Sequence, residues 1–162
     1  KGNNNVYCQD NETSWLDWSR LKRDDSLFQY VKTLIAFRKA HPSLRQKSPL
    51  TGTDRNGCGL PDVSYHGENA WQVPAEVYSR QLGVLYCAAG EEEDYCFIAY
   101  NMHWLKHSFA LPALPKNREW HRVIGTEEDA AGRQEEDQKR IELQARSIVV
   151  LTGEQKAAGK AK

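Results

Sequence analysis

The sequence predicts an α+β chain in which an amide-rich loop and one strong helix precede an antiparallel β-sandwich. Three features predict it. Residues 1–24 are polar and irregular, a helical apolar stripe begins at Ser26, and from residue 82 short apolar runs recur at strand-like spacing.

The chain opens with "KGNNNVYCQDNETSWLDWS". Runs of asparagine favour turns, because the short amide bonds nearby backbone and tolerates unusual dihedrals. With its acids and tryptophans, this stretch has the character of a binding loop. A helix follows. Ser26 and Gln29 have the spacing of a capping box, and Asp24 and Asp25 suit the positive end of the helix dipole. Leu27, Val31, Leu34, Ile35 and Arg38 fall on one stripe that Phe28 and Phe37 widen. His41-Pro42 ends the helix, since the residue before proline avoids the α region. Its apolar face has to pack on something large.

Residues 43–79 hold much of the glycine and proline, which predicts loops and one short strand around Val63–His66. "LGVLYCA" (82–88) and "YCFIAYN" (95–101) flank an acidic turn and read as a hairpin. Residues 108–111, 119–124, 140–143 and 147–152 continue the strand series. The charged stretch 132–140 reads as a solvated loop, and 154–162 as a disordered tail.

At 162 residues the chain suits one domain, or one domain and a piece of another. Lys+Arg and Asp+Glu number 22 each, so no net field draws nucleic acid or an anionic membrane. No apolar run reaches membrane-spanning length. Cys8, Cys58, Cys87 and Cys96 form no CxxC pair and have no histidine at zinc-ligand spacing, so neither metal nor cofactor is expected. Cys87 and Cys96 could meet across the hairpin, but such sparse usage reads as four reduced thiols.

Five blocks, in order, carry a resemblance. "GNNNVYCQDNETSWLDWS", "LFQYVKTLIAFRKAHPSLR", "VSYHGENAW" with "YSRQLGVLY", "LPALPKNREWHRVIGTEED" and "ARSIVVL" resemble the glycogen debranching enzymes and isoamylases of glycoside hydrolase family 13, the α-amylase superfamily. The chain departs from them at Pro74, where Ala75 and Glu76 stand in place of Asp and Trp. The resemblance implies a fold and a division of the chain. Residues 1–47 are the end of a catalytic (β/α)8 barrel, with the loop after strand eight and the last helix. Residues 48–153 are the C-terminal all-β domain with its irregular lead-in.

It also implies a function. The parent would be a cytoplasmic, retaining α-1,6-glucosidase that acts on branch points of glycogen or a limit dextrin. Its partners would be α-glucan and the rest of the barrel. Retaining hydrolysis needs a nucleophile and an acid about 5 Å apart across the glycosidic bond. In the family these acids lie after earlier strands, so no catalytic residue is assigned here and the chain alone is expected to be inactive. Asp10, Glu12 and Asp17 share one short segment and offer no opposed pair.

The loop after the eighth strand borders the cleft in such barrels. Amides donate and accept together, which suits sugar hydroxyls, so Asn3, Asn4, Asn5, Gln9 and Asn11 are candidate glucan contacts. Tyr7 and Trp15 can offer a flat apolar face to a glucose ring. Asp10 either binds glucan or braces the loop. Local backbone bonding is the competing role for the asparagines, packing for Trp15, Trp18 and Cys8, and structural bonding for His66 and His103. The reading from another class is a stand-alone, non-catalytic β-sandwich that binds glucan or serves a structural role.

Overall fold

A computed structural model of the chain describes residues 7–22, 26–55, 57–73, 76, 78–88, 94–115, 117–127 and 133–156. Asn3, Asn4, Asn5, Asp24, Asp25, Pro74 and Ala75 lie outside them. The chain divides into two compact units, Lys1–Ala40 and His41–Lys162.

In the first unit a looped stretch leads into a 3-10 turn, Trp18–Lys22, and then the helix α1, Ser26–Ala40. Asp17 starts the 3-10 turn, accepting from the Ser19 amide at 3.1 Å and the Ser19 hydroxyl at 2.5 Å. The helix stops at Ala40, immediately before His41-Pro42, as expected. Its apolar stripe stays in the open. No α1 residue is buried, and Leu27 and Ile35 are 68% and 51% exposed.

The second unit is antiparallel β throughout. Its strands are β1 (Val63–His66), β2 (Gln81–Ala88), β3 (Asp94–Asn101), β4 (His107–Ala110), β5 (Arg118–Gly125), β6 (Arg133–Gln134), β7 (Arg140–Leu143) and β8 (Ser147–Gln155). Six form one sheet in the order β1-β2-β3-β8-β5-β6, and β4 pairs with β7 in a second sheet. Alternation in each strand decides which side is dry. Leu85, Cys87, Tyr95, Phe97, Ala99, Val149 and Leu151 share the inner face with Trp120. Phe109, Ile141 and Leu143 of the small sheet complete the same core, so the two sheets face each other as in a β-sandwich. The Trp120 indole donates to the Pro112 carbonyl at 2.9 Å, which satisfies its N–H at full burial.

Two buried polar side chains fasten loops to this frame. Asp62 accepts from the amides of Thr51 and Gly52 and from the Thr51 hydroxyl, folding the lead-in back on itself. Burial pushes its carboxyl up, but those hydrogen bonds and the Arg55 charge together outweigh it and hold it below the usual range. The Asn101 amide donates to the carbonyls of Leu105 and Gln144 at 2.9 and 2.8 Å, joining the loop after β3 to the end of β7.

Four expectations change. Arg133 and Gln134, in the stretch read as a solvated loop, pair with β5, and Glu135 is buried against Arg122. Glu154 and Gln155, read as tail, end β8 and pair with Glu119 and Arg118. The strand passes there through Gly153, where a β-carbon would sit 2.8 Å from Leu114 Cδ2 and 2.9 Å from Tyr95 Cβ. Only a glycine lets β8 run past those side chains. Cys58 lies sulfur to sulfur against Cys87, a neighbour its spacing does not announce, because the lead-in lies on β2, where the Cys87 amide donates to the Asp62 carbonyl. Cys8 is exposed, with φ of 55°, and does not pack.

Candidate functional site

Between Tyr7 and Trp15 the loop is held by its own polar side chains. Asn11 organises it. Its Oδ1 accepts from the Thr13 amide at 2.9 Å, and its carbonyl accepts from the amides of Ser14 and Trp15 at 2.9 and 3.0 Å. Its Nδ2 donates to Gln9 Oε1 at 2.9 Å. Asn11 therefore acts first as a turn former, the local role open to it from sequence.

The structure brings Asp10 and Trp15 together. The indole Nε1 donates to Asp10 Oδ1 at 2.8 Å, while the ring remains 62% exposed. A carboxylate thus fixes the edge of the ring and leaves apolar surface to the solvent. That is a surface suited to a ring carrying hydroxyls at its rim and C–H bonds on its face. Tyr7 and Trp18 are also exposed. Of the expected contacts, Gln9, Asp10, Asn11 and Trp15 form one bonded cluster in which bracing is visible, and Asn3, Asn4 and Asn5 lie outside the described residues.

The acids of this loop are already committed in part. Asp10 holds the indole and Asp17 holds Ser19, both from one strip of chain. Such an arrangement orients a surface.

The β unit offers different chemistry. A cleft of about 590 Å³ is lined by Arg45, Lys47 and Arg55 together with Gln46 and Ser48, a lining that suits an anion better than an uncharged glucan. His66 is a buried structural histidine. Its Nδ1 accepts from the Trp71 amide at 2.8 Å, and its Nε2 lies 2.9 Å from the Ser64 hydroxyl. Burial pushes its pKa down to about 4, so it is neutral at pH 7. His103 stacks on Trp104 at 4.1 Å, with the Arg80 guanidinium 5.5 Å from the same ring. Trp71 and Trp104 are exposed and Trp120 is core.

No family model matches the chain. Curated relatives do. The chain is 30% identical over 131 residues to an isoamylase of Flavobacterium sp., which covers 77% of this chain and 17% of that protein. It is 31% identical over 124 residues to an isoamylase of Pseudomonas amyloderamosa, covering 76% of this chain and 16% of the relative. With a glycogen debranching enzyme of Cronobacter sakazakii it shares 51% identity over 43 residues, 26% of this chain and 6% of the relative. It spans about a sixth of the length of the isoamylases it matches. No helix among the described residues is long and apolar enough to cross a membrane. Over three-quarters of its length this chain is thus similar to isoamylases, and over a shorter stretch to a glycogen debranching enzyme.

Proposed function

We propose that the chain is the C-terminal portion of a retaining α-1,6-glucosidase of the α-amylase superfamily, a cytoplasmic enzyme that hydrolyses branch points of glycogen or a limit dextrin. The observation that carries this reading is the similarity to isoamylases across 124–131 residues. In it, residues 1–47 contribute the loop after the eighth barrel strand and the last barrel helix. Residues 48–153 are the C-terminal β-domain. The exposed stripe of α1 supports the division, since Leu27, Val31, Leu34 and Ile35, still 37–68% exposed, would each gain about 0.6–2 kcal/mol on burial against a barrel.

The loop then forms part of the rim of the glucan cleft. Trp15, steadied by Asp10, stacks on a glucose ring, and Tyr7 offers a second face. Asn3, Asn4, Asn5, Gln9 and Asn11 exchange hydrogen bonds with sugar hydroxyls, either directly or by shaping the turn. The nucleophile and the acid come from other parts of the barrel, so this chain positions substrate and does not cleave it.

Two measurements test the reading. The chain alone, incubated with glycogen or pullulan, is expected to release no reducing ends, and turnover by the purified chain would refute its dependence on the rest of a barrel. In the longer enzyme, Asn4→Ala or Asp10→Ala is expected to lower kcat/KM about tenfold, the size of one good hydrogen bond. Unchanged kinetics for both variants would make the loop purely structural.

A further inference from the structure

A second cluster lies in the β unit, on the face of the large sheet opposite the core. The 3-10 turn Pro42–Arg45 packs there on β2 and β3. His41, just before that turn, meets Asp94 and Cys96 of β3. One ring nitrogen of His41, one carboxylate oxygen of Asp94 and Sγ of Cys96 all lie within 4.8 Å of one another. His41 Nδ1 is 2.8 Å from Asp94 Oδ1, and Cys96 Sγ is 3.7 Å from the same oxygen.

We infer that His41, Asp94 and Cys96 form a zinc site that ties the His41–Ser43 segment to the start of β3. Four observations support it. The donor set is imidazole, carboxylate and thiolate, the three side-chain types that zinc takes. Tetrahedral ligands at zinc distances stand about 3.3–3.8 Å apart, so the three donors need shifts of about 1 Å to close on an ion. The other Asp94 oxygen, Oδ2, accepts from the Ser43 amide at 3.0 Å and the Ser43 hydroxyl at 2.6 Å. Those bonds orient the carboxylate and leave Oδ1 turned toward the other two donors. Finally, Cys96 is buried while His41 and Asp94 keep 22% and 12% of their side chains in contact with solvent. The ion has an entry path, and water completes the fourth position.

Binding replaces the hydrogen bond between His41 and Asp94 with two metal bonds, and the proton of that hydrogen bond passes to the far ring nitrogen, leaving His41 a neutral imidazole. It also converts the Cys96 thiol to a thiolate, so that one proton leaves to solvent for each zinc bound. Sequence spacing hides the site, because 53 residues separate its first two ligands.

Cobalt(II) is the probe, because a thiolate bound to it absorbs in the near ultraviolet. The chain carrying Cys8→Ser, which removes the exposed thiol, is titrated with cobalt and then with zinc. One equivalent of cobalt with the thiolate band, displaced by zinc, is the expected result. Cys96→Ser should abolish the band, and His41→Gln should weaken cobalt binding at least about a hundredfold. Zinc added to the weakly buffered parent should release about one proton, a readout that needs no further substitution in the site. Absence of the band and of proton release, or a band that persists in Cys96→Ser, would overturn the assignment and leave His41 and Asp94 as a hydrogen-bonded anchor.

Discussion

Replacing Arg122 with alanine is expected to destabilise the β unit by about 3–5 kcal/mol. Its side chain is held between two acids. Nε donates to Glu135 Oε1 at 2.6 Å, and Nη1 to Glu127 Oε2 at 3.3 Å. Arg122 is 3% and Glu135 8% exposed, so truncation leaves a carboxylate inside the protein without its counter-charge. Glu127 in turn accepts from the Gln144 amide and the Ser147 hydroxyl, so the loss also loosens the entry to β8. Urea unfolding followed by tryptophan fluorescence measures the effect as a lower midpoint at unchanged slope. The double variant Arg122→Met with Glu135→Leu tests the reason. Removing both charges should recover most of the loss, and a double variant as unstable as the single one would show that the stranded charge is not the cause.

Acidification is expected to cost the β unit about 3 kcal/mol through His66 alone. The group titrates near 6.5 when unfolded and near 4 when folded, because burial disfavours its cation. Between those values the unfolded chain binds more protons, so stability falls as pH falls. The contribution is complete above about pH 6.5, declines by about 1.4 kcal/mol per pH unit, and is gone below about pH 4. The structure gives the mechanism. Nδ1 accepts the Trp71 amide, and Trp71 sits at φ of 65°, a backbone position that needs such a bond to persist. A proton on Nδ1 removes the acceptor. Unfolding midpoints at several pH values should show this slope, and His66→Gln should flatten it. A slope that survives the substitution would assign the effect to other groups. Asp62 does not confuse the result, since its folded carboxyl is held below the usual range and acts only at lower pH.

Much of the β unit was legible because strands announce themselves locally. Val63–His66 and Arg140–Leu143 match their expected limits, and β2, β3, β4 and β5 differ by only a residue or two at either end. Alternation of apolar and polar side chains is a property of a few consecutive residues. The helix was equally plain, since a stripe at helical spacing and a proline stop are both short-range signals.

The misreadings share a cause. Residues 132–140 look like a solvated loop because charge is judged residue by residue, and Glu135 has no local sign that Arg122 will cover it. Glu154 and Gln155 look like a tail because β5, their partner, lies more than thirty residues earlier. The candidate loop was half legible: amides and aromatics mark Gln9, Asp10, Asn11 and Trp15, but which acid holds which ring depends on a turn that Asn11 closes.

By itself, the sequence determined the helix, most of the strands and the likeness to debranching enzymes, because periodicity and motif strings act over a few neighbouring residues. Tertiary structure alone decided the pairing of Arg122 with Glu135, of Cys58 with Cys87, and of His41 with Asp94 and Cys96. Each joins segments that only strand pairing and sheet packing bring within a few ångströms, and no local pattern records that distance.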